Sequence, residues 1–575
     1  MTRTLHLSLL LVAGTVLMSS PWTNGHAQAR SSDGPDLVPH RAVATAAVLS
    51  APGRRAFAER RTSAAFLEAK HLGEPALDDF LRRMPKGADL HMHLAGAVYA
   101  ETYLKDAAED LLCVDPVALR FVKHVGTTRS VPPQAVCAEG MVAAASLFAP
   151  SPAAQPLYDA LIDSFSMRTF VPASGMSGHD HFFSTFDRFH GLGKRHTGEW
   201  LDELAVRAAS QNEQYLEVME TPSFAHAAEI AKEIGWPAAT PPHTTAETSS
   251  LDAVAGSSNA ELAALRDKLL AGSLRDEVAI DRGELADALA SRKRLEHCGQ
   301  PDAVPACAVE IRFLYQVLRA FPPQQVFAQT LLAFEVASQD ANVVGINFVQ
   351  PEDTYLAMSE YHRQMAMLDY LHTVYPKVHI SLHAGELAPG LVPPAGLRFH
   401  IREAVELGHA ERIGHGVDVM YEDDAHALLA ELAAKHVMVE INLTSNDVIL
   451  GVSANHHSLP AYRAAHVPLA LSTDDEGVSR IDLTHEYLRA VNDFGLSYFD
   501  LKTMARTSLE HAFLPGASLW QRPDDFTAFV SACHDSSPGT GKLKPACAQY
   551  LHGSQRATQQ WELERRYISF EAARY

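Results

Sequence analysis

Apolar runs of four to eight residues recur along this chain, and longer stretches with helical spacing of apolar residues separate them. Such runs, rich in branched aliphatic residues, are typical of strands buried on both faces of a parallel sheet. Eight runs have this character, at 88–94, 215–219, 308–314, 343–349, 378–382, 412–415, 437–443 and 468–472. Strands that alternate with helices predict an α/β fold, and eight units close into a TIM (β/α)8 barrel with its functional residues at the carboxyl ends of the strands.

The predicted barrel spans residues 84–515, and two connections within it are much longer than the others. We expect insertions at about 96–170, after the first strand, and at about 221–306, after the second. A helical N-terminal extension is expected over 30–83 and a C-terminal helical extension over 516–575.

The first 29 residues have the three regions of a secretory signal peptide, with Arg3, an apolar stretch from Leu5 to Met18 and a small-residue site at Ala27-Gln-Ala29. The apolar stretch is shorter than a membrane-spanning helix. We therefore expect cleavage near Ala29 and an exported protein, periplasmic or secreted, without stable membrane insertion. A retained N-terminal anchor is the alternative.

Charge and cysteine content narrow the function further. The formal net charge is -21 without any lysine- or arginine-rich run, which excludes nucleic acid as an expected partner. The six cysteines suit an oxidising compartment and form three local pairs, although six cysteines allow about 15 connectivities. The nearest-neighbour hypothesis joins Cys113 to Cys137, Cys298 to Cys307 and Cys533 to Cys547.

Candidate metal ligands lie at the ends of the predicted strands. His91 and His93 are two residues apart in the first strand and so share a face. Such a pair alone is more often a surface or packing feature, but His383 and Asp474 follow other predicted strands. Zn²⁺ binds histidine nitrogen and carboxylate oxygen and keeps a position for water in catalytic sites. We expect one Zn²⁺ per chain, held by these four residues.

Candidate proton-transfer groups accompany these ligands. Glu386 lies three residues after His383, where a carboxyl in a closed pocket can act as a proton donor. His415 would stand across the water as a base or electrostatic stabiliser. Asp475 would reach the substrate or the water if the strand breaks after Asp474. The alternatives are a solvated Glu386 and a His415 that only packs between glycines.

Four stretches taken together resemble the adenosine deaminase family of metal-dependent amidohydrolases, at 86–94, 383–386, 414–416 and 472–475. Residues 182–189 and 505–515 are also similar to family segments, so the resemblance covers about 84–515. Met84-Pro-Lys-Gly87, the leader and the early cysteine pair are similar to the secreted growth-factor-related branch, whose extra segments support dimerisation. A homodimer through the N-terminal extension is therefore left open.

The resemblance implies hydrolytic deamination of adenosine or 2'-deoxyadenosine to inosine and ammonia. A zinc-activated water would attack C6, while Glu386 protonates N1, His415 handles the water proton and Asp475 binds N7. The substrate contacts that we expect are Asp475, Gly385, Phe182, Phe186 and Gln350.

Two departures from the family pattern concern recognition of the sugar and the base. Ala95 stands where many members have an acidic residue for the 5'-hydroxyl, and Gln350 lies near a position that is often glycine. The alternatives are a related amidohydrolase for another aminopurine or a modified adenine nucleoside, and a catalytically silent binding or signalling protein. Asn442 and Ser445, after the seventh strand, are taken as structural.

Overall fold

The computed structural model describes residues 51–173, 175–237, 258–539 and 543–573. From residue 54 onward, the described residues form one compact unit. The predicted leader, residues 1–29, lies outside the described residues. Among the described residues, the helices are either too short or too polar to cross a membrane.

Eight parallel strands form the central sheet, in the order of the chain. They are β1 (Gly87–His93), β2 (Glu213–Glu220), β3 (Glu310–Leu318), β4 (Val343–Val349), β5 (His379–Ala384), β6 (Arg412–His415), β7 (Met438–Ile441) and β8 (Leu469–Leu471). The expected (β/α)8 barrel is confirmed, and each strand falls within a few residues of its predicted run.

The ring closes between the first and the last strand through backbone just beyond β8. The Asp474 amide donates to the His91 carbonyl at 2.9 Å, and the His93 amide donates to the Asp474 carbonyl at 3.1 Å. Asp474 has a φ of 62°, so the extended chain of β8 ends here, as the sequence predicted. The residue that closes the barrel is therefore also a predicted metal ligand.

The helices surround the barrel and fill its connections. They are α1 (Ala51–Leu72), α2 (Glu74–Arg83), α3 (Leu94–Ala97), α4 (Ala100–Glu109), α5 (Gln155–Ser164), α6 (Gly178–Arg188), α7 (Thr197–Ser210), α8 (Ala225–Ile234), α9 (Asn259–Ala271), α10 (Leu274–Leu295), α11 (Pro323–Gln339), α12 (Tyr355–Val374), α13 (His400–Glu406), α14 (Ala425–Lys435), α15 (Leu443–Leu450), α16 (Leu459–Ala464), α17 (Glu476–Ser479), α18 (Leu483–Phe494), α19 (Tyr498–Glu510), α20 (Pro545–His552) and α21 (Gln555–Ala572).

Short antiparallel strands lie outside the barrel, and the sequence analysis did not predict them. In the connection after β1 they are Cys113–Asp115, Arg120–Val122, Gly126–Thr127, Ala135–Val136 and Val142–Ala143. Near the C-terminus a hairpin joins Trp520–Arg522 to Asp525–Phe529. The expected helical C-terminal extension thus begins with a hairpin, because strands of three to five residues leave too short a pattern to recognise.

Lys86 fastens the start of β1 to the elements before and after it. It is fully buried, and its ammonium donates to the carbonyls of Leu81 at 2.7 Å, Met84 at 3.2 Å and Gln211 at 2.6 Å. Three acceptors match the three protons of an ammonium group. This arrangement caps the carboxyl end of α2 and fixes where the first strand enters the barrel.

The three predicted cysteine pairs are joined in the structure, at Cys113–Cys137, Cys298–Cys307 and Cys533–Cys547.

Removing the Cys533–Cys547 bridge with a double alanine substitution should lower the free energy of unfolding by about 3 kcal/mol, because the bridge closes a loop of 14 residues. Denaturant unfolding would measure this. The matched removal of Cys298–Cys307, which closes 9 residues, should cost less. Free thiols in the denatured, unreduced protein would contradict these pairings.

Candidate functional site

The candidate ligands converge at the carboxyl ends of the barrel strands. His93 Nε2 lies 3.1 Å from His383 Nε2 and 3.2 Å from Asp474 Oδ1. His91 Nε2 lies 3.5 Å from the same Asp474 oxygen. The structure therefore brings together all four residues that the sequence predicted as ligands.

The other ring nitrogen of each ligand histidine is hydrogen-bonded to a side chain of the barrel interior. His91 Nδ1 donates to Glu440 at 2.7 Å, and His93 Nδ1 lies 2.7 Å from Gln316 Oε1. His383 Nδ1 lies 2.8 Å from Asn347 Oδ1.

The orientation of the two amides is fixed by further hydrogen bonds. Gln316 Nε2 donates to Thr221 at 2.9 Å, and Asn347 Nδ2 donates to Ser381 at 3.3 Å. Both amide oxygens therefore accept from Nδ1–H, which leaves a lone pair on Nε2 of His93 and of His383.

These contacts test whether the residues fit a metal ion. Two Nε2 lone pairs that face each other at 3.1 Å repel unless a cation lies between them. His91 Nε2 is buried without a hydrogen-bond partner. Burial lowers the pKa of His91, but the neighbouring carboxylates of Asp474 and Glu440 raise it, with a net rise to about 10, so a positive charge is stabilised here. The donor set of imidazole and carboxylate suits Zn²⁺.

The distances between potential metal-ligand atoms define two overlapping groups of residues at this site. One contains His91, His383, His415 and Asp474, with ligand atoms within 4.8 Å of one another, and the other contains His93, Asp474 and Asp475. Asp474 belongs to both groups, and Ser445 Oγ donates to its second oxygen at 2.6 Å. Ser445, which the sequence analysis took as structural, thus lies beside the site, and its hydroxyl orients this carboxylate.

Glu386 lies in a turn that two buried residues hold in place. Its backbone amide donates to Glu352 at 2.8 Å, and the Gly385 amide donates to the other Glu352 oxygen at 3.2 Å. Arg319 donates to the His383 carbonyl at 3.0 Å. Burial raises the pKa of the Glu386 carboxyl well above its ordinary value, and nearby Asp474 and Glu352 raise it further. Sequence analysis did not identify Glu352 or Arg319, because neither lies in a recognised stretch.

His415 is fully buried behind this turn. Its Nδ1 lies 3.6 Å from Glu386 Oε1 and accepts from Asn446 Nδ2 at 2.9 Å, and its Nε2 lies 4.0 Å from Asp474 Oδ2. Burial lowers the pKa of His415 to about 3, so the ring is neutral. Contacts with both Glu386 and Asp474 distinguish it from a histidine that only packs.

Asp475 follows the break after β8 and is almost fully buried. One of its carboxylate oxygens has no hydrogen-bond partner. A Cβ at Gly96 would lie 1.5 Å from this oxygen, so the close approach of α3 requires glycine there. Burial, followed by the charge of Asp474, raises the pKa of Asp475 to about 8.

A cavity of about 310 Å³ opens above these groups. Its floor is formed by His93, His383, Glu386, Asp474 and Asp475, and its walls by Phe182, Phe183, Phe186, Asp187, Gln316, Leu318, Val349, Gln350, Pro351 and Ile449. An aromatic wall beside a few polar groups is typical of a site for a flat heterocycle.

The phenylalanines reach the cavity because α6, from the long connection after β1, packs closely on α15. A Cβ at Gly178 would lie 1.9 Å from the Val448 carbonyl, so this approach also requires glycine. Of the expected substrate contacts, Asp475, Phe182, Phe186 and Gln350 line the cavity.

Gly385 does not line the cavity. With a φ of 76°, it faces Asp418 and Ile401, and its amide is bonded to Glu352. In this arrangement the glycine holds the turn, and its contact with substrate stays a prediction.

Comparison with known proteins gives a family for part of the chain. The sequence model of the adenosine deaminase family matches residues 295–519, which include His383, Glu386, His415 and Asp474 but not the two histidines of β1. An adenosine deaminase of Clostridium perfringens is 33% identical over 135 residues, which cover 23% of this chain and 37% of that protein.

Two further similarities extend over more of the chain. An N6-mAMP deaminase of Arabidopsis thaliana is 30% identical over 244 residues, 41% of this chain and 59% of that protein. The crystal structure of an adenine deaminase from Arthrobacter aurescens covers 75% of this chain and 94% of that one, with 16% identity and a TM-score of 0.46. The chain thus matches less than two thirds of the length of either sequence relative. Residues 295–519 of this chain are therefore similar to the adenosine deaminase family.

Proposed function

We propose that this protein is an exported, zinc-dependent deaminase that hydrolyses adenosine or 2'-deoxyadenosine to inosine and ammonia. The observation that carries the proposal is the convergence of His91, His93, His383 and Asp474 on one point at the floor of the aromatic cavity. Three disulfides are compatible with export, and the leader pattern at 1–29 supports it.

In the proposed reaction the metal would activate the water, and protein side chains would transfer protons and bind the purine. His91, His93, His383 and Asp474 would hold Zn²⁺, which when bound would supply a water of lowered pKa. His415, which lies beside Glu386 and Asp474, would take up the proton of that water. Glu386, enclosed by burial, would donate a proton to N1 of the purine, and the Asp475 carboxyl, whose raised pKa favours the protonated form, would donate a hydrogen bond to N7.

The reaction adds water across the C6–N1 bond and releases the amino group. The C6–O bond would form on the face where the water is held, as N1 takes the Glu386 proton. The C6–N bond to the amino group would then break, the amine leaving as ammonia with the proton passed on from His415, while the remaining proton on the C6 oxygen returns to Glu386 and leaves the C6 carbonyl. Phe182 and Phe186 cover the base and limit bulk water at C6.

The charge of the cavity favours a neutral substrate over a phosphorylated one. Among the described residues its lining has no lysine or arginine, and of its four acidic side chains the raised pKa values of Glu386 and Asp475 favour the neutral form, which leaves Asp187 and Asp474 as the anionic groups. A nucleotide phosphate would meet like charges there without a lysine or arginine from these described walls. We therefore propose a nucleoside rather than AMP.

Metal binding should depend on the acceptors of the ligand histidines. His91→Ala should abolish binding at this site, and Gln316→Met should weaken it about 10- to 100-fold, because Gln316 orients His93. Metal content by mass spectrometry and competition with a chelator would measure both. Leu318→Met, two residues further along β3 on the same cavity wall, should bind metal as the wild type does. If His91→Ala and Gln316→Met bound the metal as tightly as Leu318→Met, the ligand assignment would be refuted.

Glu386→Gln should leave metal content unchanged and lower kcat about 10²- to 10⁴-fold, because the amide cannot donate an acidic proton to N1. Single-turnover kinetics with adenosine would separate this chemical step from binding. Glu422→Gln is a control of the same chemistry at a buried acid that does not line the cavity. Full activity of the Glu386 variant would show that another group is the acid.

A panel of adenosine, 2'-deoxyadenosine, adenine and AMP would test the substrate by the loss of adenine absorbance. We expect kcat/KM for the better nucleoside to exceed that for AMP at least about tenfold, which corresponds to 1.4 kcal/mol of repulsion. Higher ionic strength should reduce the difference in kcat/KM between the nucleoside and AMP, and so should Asp187→Asn, because Asp187 lies at the exposed rim of the cavity. A preference for AMP would overturn the choice of a nucleoside, and turnover of none of the four would overturn the deaminase proposal.

A further inference from the structure

A second cluster of metal-ligating side chains lies outside the cavity, in the connection between β1 and β2. His196 is completely buried, with Nδ1 2.7 Å from Glu199 Oε2 and 3.6 Å from Asp106 Oδ1. These three ligand atoms all lie within 4.8 Å of one another. The residues come from α4, from the short helical turn Lys194–His196, and from α7.

The hydrogen bonds of this cluster leave one buried carboxylate oxygen without a donor. Asp106 is completely buried; Trp200 Nε1 donates to its Oδ2 at 2.7 Å, and its Oδ1 has no partner. An imidazolium at His196 could not satisfy it, because its two N–H groups already face Glu199 and Asp110. A buried carboxylate oxygen without a partner is costly. A cation bonded to several oxygens at once would remove this cost.

The other ring nitrogen of His196, Nε2, faces a carboxylate, as is common for histidines that bind a metal through Nδ1. His196 Nε2 lies 3.2 Å from Asp110 Oδ1. Asp110 is itself held by the Gly193 amide and by Arg195 Nε, each at 2.7 Å. A carboxylate that accepts from Nε2–H directs the lone pair of Nδ1 toward Asp106 and Glu199. The Glu199 side chain is 38% exposed, which gives water and an ion access to the cluster.

We propose that His196 Nδ1, Asp106 and Glu199 bind a second divalent cation, of the Zn²⁺ class, independent of the candidate active site. One nitrogen and two carboxylate oxygens favour Zn²⁺ over the harder Mg²⁺ or Ca²⁺, and water completes the coordination.

The position of the cluster indicates a structural role. Asp106 lies near the start of the connection between β1 and β2, and His196 and Glu199 lie near its end. A cation there closes this long segment at its base, which restricts its unfolded forms. Because α6 lies within the closed segment, the ion would also steady the aromatic wall of the cavity.

Zinc content measured after equilibration with Zn²⁺ and removal of free ion would test the proposal. The full-length wild type should hold one more zinc per chain than Glu199→Gln or Asp106→Asn. Glu109→Gln, which neutralises an exposed acid on α4 outside the cluster, should match the wild type. Added Zn²⁺ should raise the thermal midpoint of the wild type and of Glu109→Gln but not of Glu199→Gln.

The same difference should persist in a His91→Ala background, where the candidate active site no longer binds metal. A failure of the second metal site can then be distinguished from a failure of the proposed deaminase function, which depends on the other metal site. If Asp106→Asn folds poorly, Glu199→Gln still decides the question, because the Glu199 side chain is partly exposed. Equal zinc content in the wild type, Glu199→Gln and Glu109→Gln would overturn the second site and leave His196 as a buried ion-paired imidazolium.

Discussion

The arrangement of the candidate active site depends on one constraint: each ligand imidazole must have its Nδ1 fixed so that its Nε2 points at a shared position. The interior of the barrel supplies an acceptor for each ring, from β7 for His91, from β3 for His93 and from β4 for His383. A rotation of any one ring would break a buried hydrogen bond, which costs about 1–3 kcal/mol. The geometry is therefore set by the strands before any ion arrives.

The acceptor of His91 is part of a larger charged network in the barrel. Glu440 pairs with Arg412 at 2.7 Å, and Arg412 pairs with Glu217 at the same distance, with all three side chains fully buried. A buried pair of this kind contributes little net stability, but loss of one partner leaves an unpaired charge inside the fold. The network holds the Glu440 carboxylate rigidly, and so fixes the ring that is deepest in the site.

The sequence predicted the fold and the chemical groups, but not the contacts that orient them. Apolar runs at regular steps identify strands, and the spacing of His91 and His93 places them on one face, because both depend on local periodicity. Gln316 and Asn347 are single polar residues in apolar strands, and nothing local indicates which ring each one meets. Gly385 was assigned to substrate from its place in the motif, whereas its φ and its amide bond direct it into the turn.

The wall of the cavity shows why such contacts escape sequence reasoning. Its phenylalanines belong to α6, in the middle of the long connection between β1 and β2 and far from the active-site residues along the chain. They reach the cavity because β1 and β2 fix both ends of that segment and because Gly178 lets α6 approach α15. The barrel thus determines the chemistry through its strand ends, and the inserted segment determines what can lie against it. A change in the conformation of this inserted segment would therefore change the substrate selectivity, whereas the catalytic groups on the cavity floor would stay in place.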